Sequence, residues 1–280
     1  MWAGGNWQAW QVSDQQNIYI HGHHDSVLRS HRWRTVRNSA TYLIPHLRPG
    51  QQVLDLGCGP GTITIDLARL VAPGTVVGLD NDPAPLGPAR ADAQRQGVSN
   101  VSFAVGDVHQ LNYPDATFDI VHAHQLLQHL MEPVAALEEM RRVCKPGGYV
   151  AARDADFAAM TWYPLDARLD RWLDMYQRVA RSNRAEPDAG RRLLCWARAA
   201  GFGKITSSAT AWCFATPEER AWWGGLWADR VTSSALAHQA LSRHLATRQD
   251  LEDMAIAWRQ WAEQDDGWFA VLHGEVLCHG

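Results

Sequence analysis

VLDLGCGPG, residues 53 to 61 of a 280-residue chain, is an apolar run that carries one acid and then breaks into three glycines at alternate positions. Such a run reads as a buried parallel strand turning tightly into a helix. Glycine at 57, 59 and 61 permits positive φ and lets a ligand lie against bare backbone. The dinucleotide fingerprint G-x-G-x-x-G reserves the helix N-terminus for pyrophosphate, and here the third glycine comes early. Asp55, just ahead of the first glycine, repels a phosphate and suits a cationic group.

S-adenosylmethionine (SAM) has no phosphate and carries an ammonium and a sulfonium, so it meets that requirement. An acid followed by G-x-G-x-G, met by Asp55, Gly57, Gly59 and Gly61 with Cys58 inside the loop, resembles the first motif of class I SAM-dependent methyltransferases. For the glycines taken alone, a turn holding another ligand or none is the plain alternative. The resemblance covers about residues 19–155 and lies in the branch around the ubiquinone/menaquinone C-methyltransferases and bacterial small-molecule enzymes like them. It implies an α/β fold: a doubly wound, seven-stranded, mostly parallel sheet of the Rossmann-like methyltransferase type, with an N-terminal helical lid and an inserted helical cap. HGHHDSVLRSHRWRT (21–35) and the Trp-rich second half are similar to bacterial enzymes that methylate indole C3 of tryptophan-containing cyclic dipeptides.

Later segments fit the same frame. TVVGLD (75–80) reads as a second buried strand ending in Asp80, whose carboxylate can accept hydrogen bonds from both ribose hydroxyls, with Asn81 where the adenine edge passes. A plain turn before Asp82-Pro83 is the other reading. VSFAV (101–105) is a third strand, followed by Gly106, Asp107 and Val108; the resemblance implies that Asp107 contacts the adenine amino group, and an Asx turn is its bland alternative. FDIV (118–121) is a fourth strand. If it continues, His122 and His124 share a face, and His124 and Gln125 border the sulfonium end of the cofactor. YVAARD (149–154) is a fifth strand that leaves Arg153, Asp154 and Asp156 at its carboxyl end, the working edge of an open α/β sheet.

Around this core the chain divides into 1–46, an arm and lid helix; 47–160, the SAM-binding core; and 161–280, the rest of the sheet with the cap. One lid helix is expected from Ser26, burying Val27, Leu28, Val36, Ala40 and Leu43 and closed by Pro45. Pro85, Gly87 and Pro88 crowd the start of the next helix but one, so regular helix is expected only from about Ala89. Residues 204–214 read as strand six, 217–246 and 248–264 as inserted helices, and 268–278 as an antiparallel last strand. The 14 tryptophans leave a gap from Trp33 to Trp162, so the core between them has none. In the cap they recur at helical spacing, which is core packing for most, with one or two left to line an aromatic pocket.

Composition narrows the partners. A net charge of −4 opposes phosphate-driven nucleic-acid binding, and no apolar run approaches the roughly 20 residues of a membrane span. Five cysteines, at 58, 144, 195, 213 and 278, show neither disulfide nor zinc spacing and read as reduced and cytoplasmic. The histidines likewise meet no zinc pattern, so no metal is expected. The expected partner is a small-molecule substrate; a homodimer stays open. The implied activity is transfer of the SAM methyl group to a small aromatic or indole-containing product, with C-methylation favoured. Where the acceptor must lose a proton, the candidate bases are Tyr19, His21 and His24 on the lid, His124, and Asp154 or Asp156; the lid histidines are favoured, and fastening the lid is their plain alternative. An NAD-dependent oxidoreductase and a SAM-binding protein without catalysis are the other two classes.

Overall fold

Short apolar runs bounded by turns pair side by side, as their length dictates. β1 (Gln52–Leu56), β2 (Thr75–Asp80), β3 (Val101–Val105), β4 (Phe118–His124) and β5 (Cys144–Ala155) form a parallel sheet in the order β3-β2-β1-β4-β5. The computed structural model describes Ile20 and residues 25–280. Register sets Asp55 opposite His122, and His124 opposite Arg153. Beyond β5 the chain adds β6 (Thr161–Tyr163), β7 (Ile205–Phe214) and the long β8 (Trp268–His279). β8 runs antiparallel between β5 and β7, and β6 pairs with its first residues, past the end of β5. The sheet is therefore doubly wound and mostly parallel, with the last strand of the chain antiparallel, as expected, and with the three-residue β6 as an eighth strand.

Crossover helices α3 (Thr62–Val71), α4 (Leu86–Arg95) and α5 (Pro133–Val143) cover the sheet. α4 starts at Leu86, earlier than the prolines suggested. Pro85 is its N-cap and Pro88 lies in the first turn, where a missing N–H leaves no intrahelical bond unmade. The lid also departs from expectation. Instead of one helix it forms α1 (Asp25–Arg32), α2 (Val36–Ser39) and a 3₁₀ stretch, Thr41–His46, that contains Pro45. Thr35 restarts the chain: its side chain accepts the Asn38 N–H while Asn38 Oδ1 accepts the Thr35 N–H, a reciprocal cap that ends one helix and begins another.

The second half supplies α6 (Ala167–Ser182), α7 (Leu193–Ala199) and, inserted between β7 and β8, α8 (Pro217–Ser233), α9 (Ala235–Ser242) and α10 (Arg248–Ala262). Apolar stripes of α6, α8 and α10 meet in one aromatic cluster. Trp172, Trp227 and Trp258 are fully buried there, and Trp172 meets Trp227 and Trp258 edge to face at 4.6 and 4.8 Å. Most cap tryptophans are thus core, as their spacing implied. The lid is fastened to this cap. Arg230 Nη2 donates to the Ser26 carbonyl (3.1 Å) and to Ser30 Oγ (3.0 Å), and Arg29 pairs with Asp229 at 2.7 Å.

Candidate active site

Where β1, β2 and β4 end, lid and cap arch over the sheet and enclose a cavity of about 750 Å³. The turn after β1 forms its first wall. Gly57, Gly59 and Gly61 all have positive φ (65°, 51° and 77°), and Gly61 N–H returns to the Cys58 carbonyl at 3.0 Å. The glycines differ in purpose. A Cβ on Gly61 would lie 2.7 Å from the Phe103 ring and one on Gly57 3.0 Å from Leu126, whereas beside Gly59 the nearest atom is His31 Nδ1 at 3.8 Å. Packing excludes side chains at Gly61 and crowds them at Gly57; at Gly59 the open space belongs to the cavity.

Asp55 reaches the cavity wall, yet its oxygens are held by protein: His122 Nδ1 donates to Oδ1 at 2.7 Å and Thr64 Oγ1 to Oδ2 at 2.6 Å. It fixes the turn and leaves its negative charge beneath it. Asp80 Oδ2 accepts the Gly59 N–H at 2.8 Å and Oδ1 the Asp82 N–H at 3.1 Å, so the residue both makes the turn and lines the cavity. Asp107 likewise closes an Asx turn, accepting the His109 N–H at 2.9 Å, and stays two-thirds exposed along the same wall. Asn81, Gly106, Val108 and Cys58 complete this half.

β4 does continue through His124, which meets the condition for His122 and His124 to share a face. His124 is buried against the cavity beside the Trp212 (5.8 Å) and His273 (6.2 Å) rings, and among the described residues neither of its ring nitrogens has a hydrogen-bond partner. Burial first, then the Arg34 and Arg153 charges, hold its pKa well below the ordinary imidazole value. Gln125 follows in the left-handed region (φ 50°), its N–H on the Arg153 carbonyl at 2.7 Å. Trp212, Trp222, Trp223 and Trp227 form the aromatic wall with Phe157 and Met160, and the lid adds His31, Trp33 and Arg34.

Asp154 is not brought to this cavity, which corrects its assignment as a base. Alternation along β5 turns it away from Arg153, and its Oδ1 accepts the Gln128 N–H at 3.2 Å, tying down the turn after β4. Burial pushes its carboxyl up to about 7. Asp156 is spent on a two-pronged ion pair with Arg191. Tyr19, His21 and His24 lie outside the described residues. Gln128 and Arg230 on the cavity wall carried no signal in the sequence; Arg34 stood out only as one of four arginines on the lid (29, 32, 34 and 37), and Trp222, Trp223 and Trp227 only by a helical spacing that reads mostly as cap core.

Charge on these walls discriminates between cofactors. The strand-end half carries the carboxylates Asp55, Asp80, Asp82 and Asp107, while the arginines among its described lining, Arg34 and Arg230, belong to lid and cap. That half repels a pyrophosphate and accommodates a neutral nucleoside with a cationic tail. Fold and site together define the class of SAM-dependent methyltransferases with the class I fold. A family profile described as a methyltransferase domain matches residues 47–223, and the chain belongs to that family, with SAM as its cofactor. An uncharacterized methyltransferase of Schizosaccharomyces pombe is 36% identical, covering 94% of this chain and 96% of its own. ltbC of Aspergillus luteorubrus, named as a probable methyltransferase, is 31% identical over 94% of this chain and 98% of its own. In fold, the chain is similar to the YcgJ protein of Bacillus subtilis, with a TM-score of 0.58 at 19% identity, over 87% of this chain and 98% of that one.

Proposed function

We propose that the protein C-methylates a small aromatic acceptor, an indole such as C3 of a tryptophan-containing cyclic dipeptide. The observation that carries this reading is one continuous cavity running from the glycine loop to the wall of Trp212, Trp222, Trp223 and Trp227 and lined also by His124, whose two ring nitrogens have no hydrogen-bond partner among the described residues. Planar, electron-rich rings stack on such walls at little entropic cost. Gly57, Cys58 and Gly59 with Asp80, Asn81, Gly106, Asp107 and Val108 would hold the nucleoside, and Arg34 would pair with the amino-acid carboxylate. SAM supplies an electrophilic methyl group, so the chain has to align the acceptor, exclude water and remove one proton. When indole C3 forms the new carbon–carbon bond, positive charge develops on the ring nitrogen. A neutral His124 nitrogen accepts the N–H proton that leaves. His21, His24 and Tyr19 on the lid are the competing bases.

Incubation with methyl-labelled SAM and panels of indoles, quinols, phenols and amines, followed by mass spectrometry, tests the acceptor class. Label on an indole carbon is expected; label confined to quinols, or to oxygen or nitrogen, replaces the reading with a quinol-ring or heteroatom methyltransferase. His124→Phe keeps the ring packing and removes both nitrogens. It should lower kcat by about 10²-fold or more with SAM affinity retained; an unchanged kcat moves the base to the lid.

A further inference from the structure

We propose that His273 is a positioning residue that fixes Arg34 over the cavity by dictating which way the Gln125 amide points. The inference rests on the SAM reading above for what Arg34 binds, and on hydrogen-bond direction alone for how it is held.

His273 is fully buried on β8, and its Nδ1 lies 3.0 Å from the Val271 carbonyl. A carbonyl only accepts, so Nδ1 carries the proton. Burial, with the Arg153 and Arg34 charges behind it, favours the neutral ring, and a neutral ring with its proton on Nδ1 offers a bare lone pair at Nε2. The Gln125 amide nitrogen sits 2.8 Å from that lone pair and donates to it. Its oxygen is thereby turned the other way, where it accepts from Arg34 Nη2 at 2.6 Å. Every link then has one direction: Arg34 to Gln125, Gln125 to His273, His273 to the Val271 carbonyl.

Reversing any link breaks the next. With the proton on Nε2, the amide would present its oxygen to the ring and its NH₂ to the guanidinium, donor against donor. Gln125 cannot drift out of this role, because its left-handed backbone is pinned to the Arg153 carbonyl. The relay joins the last strand, the end of β4 and the lid, so one buried ring on β8 helps set where a lid cation stands, alongside the Trp212 ring that Arg34 also faces at 5.8 Å.

His273→Phe keeps an aromatic ring and removes the acceptor, whereas His273→Gln returns an oxygen near the Nε2 position. Titration calorimetry with SAM should show His273→Phe weakened about tenfold, Arg34→Ala weakened similarly, and the double variant no worse than either alone. His273→Gln should bind within about threefold of wild type. Methyl transfer at saturating SAM should stay within a few-fold in His273→Phe, separating lost cofactor positioning from lost catalysis. Nitrogen-15 NMR of the wild-type ring should show the neutral Nδ1–H tautomer. A neutral ring protonated on Nε2, additive losses in the double variant, or equal losses in His273→Gln and His273→Phe overturn the relay. Failure of wild-type protein to bind SAM would overturn the cofactor reading instead, leaving the tautomer measurement to decide the relay.

Discussion

At the scale of single residues, the carboxylates of this protein divide by what surrounds them. Asp80 and Asp107 were legible because one ends and the other closely follows a strand whose length is readable from its apolar run, and their turns place them on the cavity wall. The apolar run places Asp154 only at the carboxyl end of β5 and assigns it no face; alternation sets it on the face opposite Arg153 and Ala155, and of that end of the strand only Ala155 is among the described cavity lining. The environment of Asp154 makes a stability prediction. The folded pKa of about 7 lies above the unfolded value near 3.9, so the native state keeps a proton that the unfolded chain has released. Stability is therefore fullest below about pH 4 and falls as pH rises toward 7. Asp154→Asn has no such proton to lose. Urea denaturation should find it more stable than wild type by roughly 2–4 kcal/mol at pH 8, with the difference vanishing near pH 4. A gap of equal size at both pH values would mean that packing, not ionisation, separates them. Because Asp154 does not reach the cavity, the variant should also keep its SAM affinity.

Elements tell a different story. β1 to β5 and the inserted helices were readable because each is a contiguous pattern ended by local punctuation. The lid was not, since the Thr35–Asn38 cap competes with a helical period that runs through it. Its attachment was also illegible: Arg34 meets Gln125 across 91 residues of chain, and Arg230 meets Ser30 across 200. Arg230 of α8 makes buried contacts with Ser26 and Ser30 of α1, while Arg29–Asp229 is exposed, and Arg230 also lies over the Trp227 ring at 4.5 Å. Arg230→Met preserves much of that stem packing and deletes the donors. Hydrogen exchange in residues 25–32 should accelerate by about 5- to 150-fold, the equivalent of 1–3 kcal/mol for charge-assisted bonds. Unaltered exchange would show that α1 is held by its apolar contacts alone.

Over the whole molecule, two cores of unlike composition meet at the cavity. The sheet between Trp33 and Trp162 contains no tryptophan, and its strand ends carry carboxylates; the cap is a stacked aromatic cluster, and the lid closes the gap with arginine. That division suits a cationic, phosphate-free cofactor and, on the proposed reading, an aromatic acceptor beside it, and it makes the strand-end acids the decisive groups. Asp80 is the most direct among them, because it touches the glycine loop and faces the cavity at once. Calorimetric titration of wild type and Asp80→Ala with SAM, and of wild type with NAD⁺, tests the account where it is most exposed. Wild type should bind SAM and ignore NAD⁺, and Asp80→Ala should bind SAM more weakly by about 1–3 kcal/mol, the worth of charge-assisted hydrogen bonds to hydroxyls. Wild-type SAM affinity in Asp80→Ala, or NAD⁺ binding in place of SAM, would contradict it.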